Sequence, residues 1–472
     1  MKKIWKMLVP VLALCMFLPM AACKKDDETA GKTVVKVAFY AAGFGTSWME
    51  DAKARYEAEH SDVYLKLEGD PYIEETVKQR LDTKNANLAD DLCVFGGGYY
   101  RYMVRNDLLK DLTSFYDETV EGEDTVDDLV NQQLKNYFTV NGKVYGIPWQ
   151  DNAMSFVYNA NMFDQYGWEI PETMDQFFRL CEKIRDDTDG KVNPLTYCGA
   201  ANQGYFPGVM ENWLAQYEGT QAMYDFLDCE NAEVYQAQES GRTKVYQTVA
   251  KIIHGTDSKG RRYVDGKSRG YTHLDAQAEI LKGNSAMVVS GPWMQIEMSE
   301  YLVDYPGFRM GIMPTPHINE DAKDKNGNDS RYVRTSSTGV MVVPKLAKNA
   351  DIALDFMKFM LTQTSLERFV ETTDGLTRPF TLKNPENCDF GSNYFAGTVF
   401  DLLSEKPERM IYTVSTSDIW LAGESSMWMC NDGAPVTALA SLTYEQAMSE
   451  AAELAKEDYR VVKDKWNSWQ VG

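Results

Sequence analysis

Short runs of β-branched and aromatic residues alternate along the chain with stretches whose apolar positions recur every three to four residues. That alternation predicts an α/β architecture with mainly parallel sheets. Residues 34–40 predict a first strand and 48–60 the helix after it, with Trp48, Ala52 and Tyr56 on one face. Residues 63–68 predict the next strand. Asp70-Pro71 then has the form of an N-cap with proline at the first helical position, followed by Ile73, Val77 and Leu81 on one helical face. Residues 91–95 predict a third strand that runs into Gly96-Gly97-Gly98-Tyr99-Tyr100.

Further along, Thr173 and Gln176 have capping-box spacing, and Met174, Phe177, Phe178, Cys181 and Ile184 line the helix they open. Residues 286–290, 310–313 and 339–343 predict strands, the last feeding a helix with Ile352, Phe356, Phe359 and Met360. Thr443 and Gln446 open a long final helix whose apolar side carries Tyr444, Met448, Ala451, Ala455, Tyr459 and Val462. The polar stretch 319–331 is expected as a solvated loop. No internal repeat or low-complexity tract interrupts the pattern.

A chain of 472 residues is long enough for more than one domain. Its 48 Lys and Arg stand against 70 Asp and Glu, a net charge of −22, so it repels phosphate backbones and nucleic acid is not an expected partner. The first 22 residues change the picture more. Lys2, Lys3 and Lys6 precede a charge-free apolar stretch that is too short to span a membrane and that ends Met20-Ala21-Ala22-Cys23. This resembles a bacterial lipobox, with Cys23 as the lipidated first residue of the mature protein and residues 23–32 as a polar tether. Of the other cysteines, Cys15 leaves with the leader, and Cys93, Cys181, Cys198, Cys229, Cys388 and Cys430 show no CxxC spacing. Their pairing stays open; Cys93 and Cys181 sit within apolar patterns, where a buried free thiol fits at least as well as a disulfide.

Catalytic motifs are weak. Gly43-Phe44-Gly45 follows a strand like the start of a dinucleotide fingerprint, but Trp48 stands where the third glycine belongs. Gly266-Lys267-Ser268-Arg269-Gly270 matches a nucleophile elbow by letter in a charged loop without the strand and helix the elbow needs. His60, His254, His273 and His317 lack zinc spacing, and the stretch from Asp324 lacks the glycine and glutamate of a calcium loop. The expectation is therefore a protein that is not an enzyme, with no cofactor and no metal. What does recur is an aromatic ring beside turn-forming residues: Tyr99 and Tyr100 after three glycines, Trp149 after Gly146-Ile147-Pro148, Trp293 after Gly291-Pro292. Such turns place side chains at strand ends, where open α/β sheets bind ligands, and flat rings suit the CH faces of sugars. Asp151 and Asn152 stand beside them as hydrogen-bonding partners for hydroxyls. Each tryptophan is equally well suited to a core.

Several blocks in order resemble the family 1 extracellular solute-binding proteins of ABC importers, the group that includes maltose-binding protein. They are residues 141–149 (NGKVYGIPW), 157–163 (VYNANMF), 171–175 (PETMD), 280–293 (ILKGNSAMVVSGPW), 311–316 (GIMPTP) and 353–359 (ALDFMKF). The resemblance implies a two-lobed periplasmic-binding-protein-like fold with a three-segment hinge. Carried onto this chain, the crossings fall near 148–152, 314–319 and 372–379, with residues 33–148 and 319–372 in lobe 1 and 149–318 and 373–472 in lobe 2. It implies a ligand cleft contacted by Gly45, Trp48, Gly98, Tyr99, Trp149, Asp151, Asn152, Trp213, Trp293, Ser337, Arg378 and Trp420. It further implies a monomer anchored to the extracellular membrane face through Cys23, taking a small-molecule solute, in first place an oligosaccharide, and docking on ABC permease subunits. A polyamine or other cation on the same scaffold, a surface glycan hydrolase, and a sensor partner are the alternatives.

Overall fold

The computed structural model describes residues 29–200, 205–228, 231–412 and 435–471. The leader, Cys23, Cys229, Trp420 and Cys430 lie outside them. The elements that position the site are, in chain order, β1 (Thr33–Tyr40), α1 (Ser47–Glu59), β2 (Val63–Asp70), α2 (Ile73–Asp82), β3 (Leu92–Phe95), α3 (Tyr100–Arg105), α4 (Gln132–Tyr137) and β4 (Ile147–Asn152). They continue with β5 (Ser155–Asn159), α5 (Met174–Asp187), β6 (Asn193–Thr196), α6 (Phe206–Glu218), α7 (Glu239–His254), α8 (His273–Leu281), β7 (Ser285–Ser290) and β8 (Met310–Met313). The remainder are β9 (Val333–Val342), α9 (Ala350–Met360), α10 (Gln363–Thr372), α11 (Tyr394–Leu403), β10 (Met410–Tyr412) and α12 (Tyr444–Val471). Among the described residues no helix is long and apolar enough to cross a membrane.

Two mixed sheets organise the chain. The first runs β10-β9-β3-β1-β2, with β4 also on β9; the second runs β6-β7-β5-β8. In the first, β1 is parallel to β2 and β3, while β9 runs antiparallel to β3 and β4. The C-terminal ends of β1, β2 and β3 therefore share one edge. In the second, β5 runs against both its neighbours.

Strand alternation divides the apolar side chains between two cores. Phe156 and Tyr158 of β5 join one cluster with Met287, Val289 and Met313, while Val157 faces the other way with Val288, Met310 and Ile312. That second set is continuous with the core of the first sheet, around Val37, Phe39, Val94, Trp149, Met341 and Phe356. The helices dock as their periodicity predicts: Met174, Phe177, Phe178, Cys181 and Ile184 of α5 are all buried. Large apolar side chains of this kind contribute about 1.5–3 kcal/mol each on full burial.

Local signals are met unevenly. Thr443 and Gln446 form a reciprocal capping box, the Thr443 N–H donating to Gln446 Oε1 at 2.9 Å and the Gln446 N–H to Thr443 Oγ1 at 3.2 Å. Thr173 caps α5 through the Gln176 N–H, but Gln176 turns its own carbonyl to the Glu172 N–H instead. Asp70 does not cap a helix at Pro71: it ends β2, its Oδ1 accepts the Tyr72 N–H at 2.7 Å, and α2 begins two residues later than proline placement predicts. Cys93 and Cys181 are buried free thiols, Cys198 is buried, and Cys388 is a half-buried free thiol.

The stretch 319–331 is a mostly exposed loop, as its polarity predicts, but it is anchored at buried points. Ser330 is fully buried, its Oγ donating to the Gln216 carbonyl at 2.7 Å and lying 2.8 Å from His317 Nε2. The Lys325 N–H donates to the Tyr217 carbonyl, and its ammonium pairs with buried Glu218. Polar residues are present because they bond to one another and to α6. The final helix, α12, is fastened to α7 by a pair with no solvent exposure, Arg242 Nη1 to Asp458 Oδ2 at 2.9 Å, with the guanidinium 4.2 Å from the Tyr235 ring centroid.

Candidate ligand-binding cleft

Three stretches of chain pass between the sheets side by side. Asp151 of β4 stands opposite Ser337 of β9 on one flank and Thr377 on the other, where the Asp151 N–H donates to the Thr377 carbonyl at 2.9 Å. Thr335 Oγ1 adds a bond to the Asn152 carbonyl at 2.9 Å. The segment 314–319 is not one of the three. Ile318 belongs to the second core, its N–H donates to Gln216 Oε1, and Trp213 Nε1 donates to the Pro316 carbonyl at 2.9 Å. The chain changes core later, between Tyr332 and Val333.

Alternation along β4 sets the roles of its residues. Ile147, Trp149 and Asp151 share one face; Pro148, Gln150 and Asn152 share the other. Trp149 is wholly buried, 6.0 Å from the Trp48 ring and 5.6 Å from Phe369, with the Arg378 guanidinium 3.5 Å above its ring. Arg378 Nη1 donates to the Met360 carbonyl, and burial lowers the guanidinium pKa well below its usual range. Burial raises the Asp151 carboxyl pKa, and among the described residues it has no cationic partner and its Oδ1 accepts no hydrogen bond. It lines a cavity of about 350 Å³ with Asn131, Thr377 and Tyr412.

The contact between the two sheets lies elsewhere, at the strand ends. The loop after β1 approaches Trp293 so closely that a Cβ on Gly43 would stand 2.7 Å from Trp293 Cβ. Gly45, at φ +66, turns the loop, and the nearest atom to its missing Cβ is Ile296 Cδ1 at 4.0 Å. The Trp293 ring folds back over Gly291, whose Cβ position lies 2.3 Å from ring carbon Cζ3, so glycine is required there. Tyr205 meets Trp293 edge-on with centroids 5.3 Å apart, and Tyr40 packs on Phe44 at 6.3 Å. Glu297 accepts from Gln277 Nε2 at 2.7 Å. Burial, then the Glu297 charge, pushes both the Tyr40 and Tyr205 hydroxyls up. Asp374, beside the third crossing, hydrogen-bonds Gln295 across the same seam, and burial raises its carboxyl. Rings with polar tips from both sides thus converge around Trp293, a lining suited to a polyhydroxylated solute.

The expected residues are distributed as follows. Gly45 and Trp293 come together at this seam. Gly98 and Tyr99 lie on the same sheet edge, after β3, with Tyr99 39% exposed. Asp151, Asn152 and the Ser337 backbone meet at the crossings. Trp48, Trp149 and Arg378 form one cluster inside the first core, and Trp213 lies in the second core beside Phe156; all three indoles are buried among the described residues. Trp420 lies outside the described residues. Tyr40, Tyr205, Glu297 and Gln150 were not anticipated. The signal for Tyr205 was present in the sequence, an aromatic after Gln203-Gly204, the same juxtaposition that marks Trp293.

Comparison with known proteins places this geometry. Residues 51–390 match the family described as bacterial extracellular solute-binding protein. The melibiose/raffinose/stachyose-binding protein MelE of Bacillus subtilis is 24% identical over 366 residues, 76% of this chain and 77% of that protein. A multiple sugar-binding protein of Streptococcus mutans is 37% identical over 249 residues, 50% of this chain and 53% of that one. Among solved structures, the solute-binding protein RafE in complex with raffinose superposes with a TM-score of 0.61 at 15% identity, covering 91% of this chain and 99% of that one. A sugar transporter protein of Bacillus licheniformis in complex with stachyose gives 0.55 at 16% identity, covering 90% and 100%. Both share the two-lobed fold. With the family match spanning well over half of its length, the chain belongs to the bacterial extracellular solute-binding proteins.

Proposed function

We propose that this protein captures an oligosaccharide of the raffinose and stachyose class between its two lobes and delivers it to the permease subunits of an ABC importer. Acyl chains on Cys23 hold it, as a monomer, at the extracellular face of the membrane. The observation that carries the reading is the seam at Trp293, where the loop after β1 brings Gly43 against a tryptophan that Tyr205 meets edge-on. The sugars named for its relatives agree with that lining. The first lobe centres on the sheet of β1, β2 and β3 and the second on that of β5, β7 and β8, joined at Asp151, Ser337 and Thr377. Tyr40, Tyr99, Tyr205, Trp293 and Glu297 supply the contacts, with the buried amides Gln150 and Asn152 of β4 behind them. Solute biases the lobes toward closure because it contacts both.

Titration calorimetry of residues 24–472 against raffinose, stachyose, melibiose and spermidine tests this. Binding of one or more of the sugars is expected. Binding of spermidine alone overturns the carbohydrate assignment, and release of free monosaccharide during incubation overturns the assignment as a binding protein without activity.

A further inference from the structure

The glycine loop after β3 is held by a side chain of α2. Glu74 stands in the first turn of α2, where the helix dipole favours a negative charge. Its Oε1 accepts the backbone N–H of Tyr99 at 2.6 Å, and the N–H groups of Gly98 and Gly97 are bonded to the same carboxylate. Gly97 adopts φ +88, the left-handed region, which turns successive N–H groups to one side. Successive N–H groups that converge in this way form a nest, a standard cradle for anions. In this protein a side chain of its own fills the cradle. A Cβ on Gly98 would lie 3.8 Å from either Glu74 oxygen, so the loop wraps closely around the carboxylate. One and two turns along α2 the same stripe continues: Lys78 Nζ lies 5.8 Å from the Tyr99 ring centroid and 4.2 Å from that of Tyr102, whose hydroxyl donates to Asp82 at 3.0 Å.

We propose that Glu74 is the positioning and charge-selecting residue of the first-lobe loop: it occupies the loop's anion nest, fixes Tyr99 on the edge that faces the second lobe, and closes that edge to anionic solutes. The proposal rests on the solute-capture reading above. An acidic sugar or a phosphorylated one meets a carboxylate where it would otherwise find three donors, and a neutral oligosaccharide meets a prearranged ring.

Calorimetry with raffinose and stachyose, and site-resolved amide exchange, on wild type, E74Q and E74A with acetate as the probe, decide it. In E74A the Gly97, Gly98 and Tyr99 amides are expected to lose protection and sugar affinity to fall roughly tenfold, the equivalent of one or two lost hydrogen bonds. Acetate restores both in a saturable manner in E74A and changes nothing in wild type; E74Q, which keeps the shape without the charge, lies between. Wild-type protection and affinity in E74A, or exchange that acetate does not alter, overturns the proposal. If no sugar binds wild type, the capture reading fails while the exchange and acetate comparisons still judge Glu74. Should E74A not unfold cooperatively, E74Q and E74D carry the same exchange comparison, with Asp expected to recover part of the protection.

Discussion

Gly43 and Trp293 touch across the two sheets: a methyl group on Gly43, in the loop after β1, would stand 2.7 Å from Trp293 Cβ. Gly43→Ala is therefore expected to wedge the lobes apart. Overpacking of this kind costs about 1–3 kcal/mol, taken here from closure and not from folding. Small-angle scattering should show a larger radius of gyration in the presence of solute than wild type, with an unchanged melting temperature without solute. A wild-type radius with solute excludes the contact as a closure determinant.

Trp293 and Trp149 should part company under substitution. Trp293→Ala removes a ring from the seam and should lower sugar affinity by at least ~1 kcal/mol. Trp149→Ala removes a ring packed between Trp48, Phe369 and Arg378 and should lower stability by about 3–5 kcal/mol. Calorimetry and chemical denaturation on both variants check the split. Equal affinity losses would place Trp149 at the solute.

Asp151 makes stability depend on pH in a defined direction. Its folded pKa is raised by burial, so the folded protein holds a proton that the unfolded chain releases. Stability from this group is intact below the ordinary carboxylate range and falls as pH rises through the window between that range and the raised folded value. Asp151→Asn should remove this slope and melt higher than wild type at neutral pH. Parallel melting curves across pH for both proteins would contradict it.

The pair that fastens the last helix should be costly to break and inexpensive to replace. Asp458→Ala strands the Arg242 charge with no solvent access and should cost about 3–5 kcal/mol, read by thermal unfolding. An Arg242→Met, Asp458→Leu double variant should recover most of the loss.

Elements with strong periodicity were legible before any coordinates. The burial of α5 follows from residues spaced three and four apart, and β1, β2 and β3 fall within a residue or two of the apolar runs that predict them. The site was legible only in part, because an aromatic beside a turn marks a strand end and not which way its ring faces. Every residue from Ile147 to Asn152 is buried, so alternation assigns the two faces of β4 without telling which of them a solute would touch. The position of the second crossing was hidden for another reason. Residues 319–331 are polar, and composition alone does not reveal that Ser330, His317 and Lys325 bond back to α6. Glu74 gave no signal at all, since its partners are backbone amides of residues more than twenty positions away.

The three crossing segments are bonded to one another at a single level, Ser337 to Asp151 to Thr377. Three independent cords would let the lobes shear, twist and bend. Cords knotted together at one height leave a single angular coordinate, as pages share one spine. Capture then has the mechanics of a latch, in which the solute determines how long the cover stays shut and the knot determines the arc along which it swings.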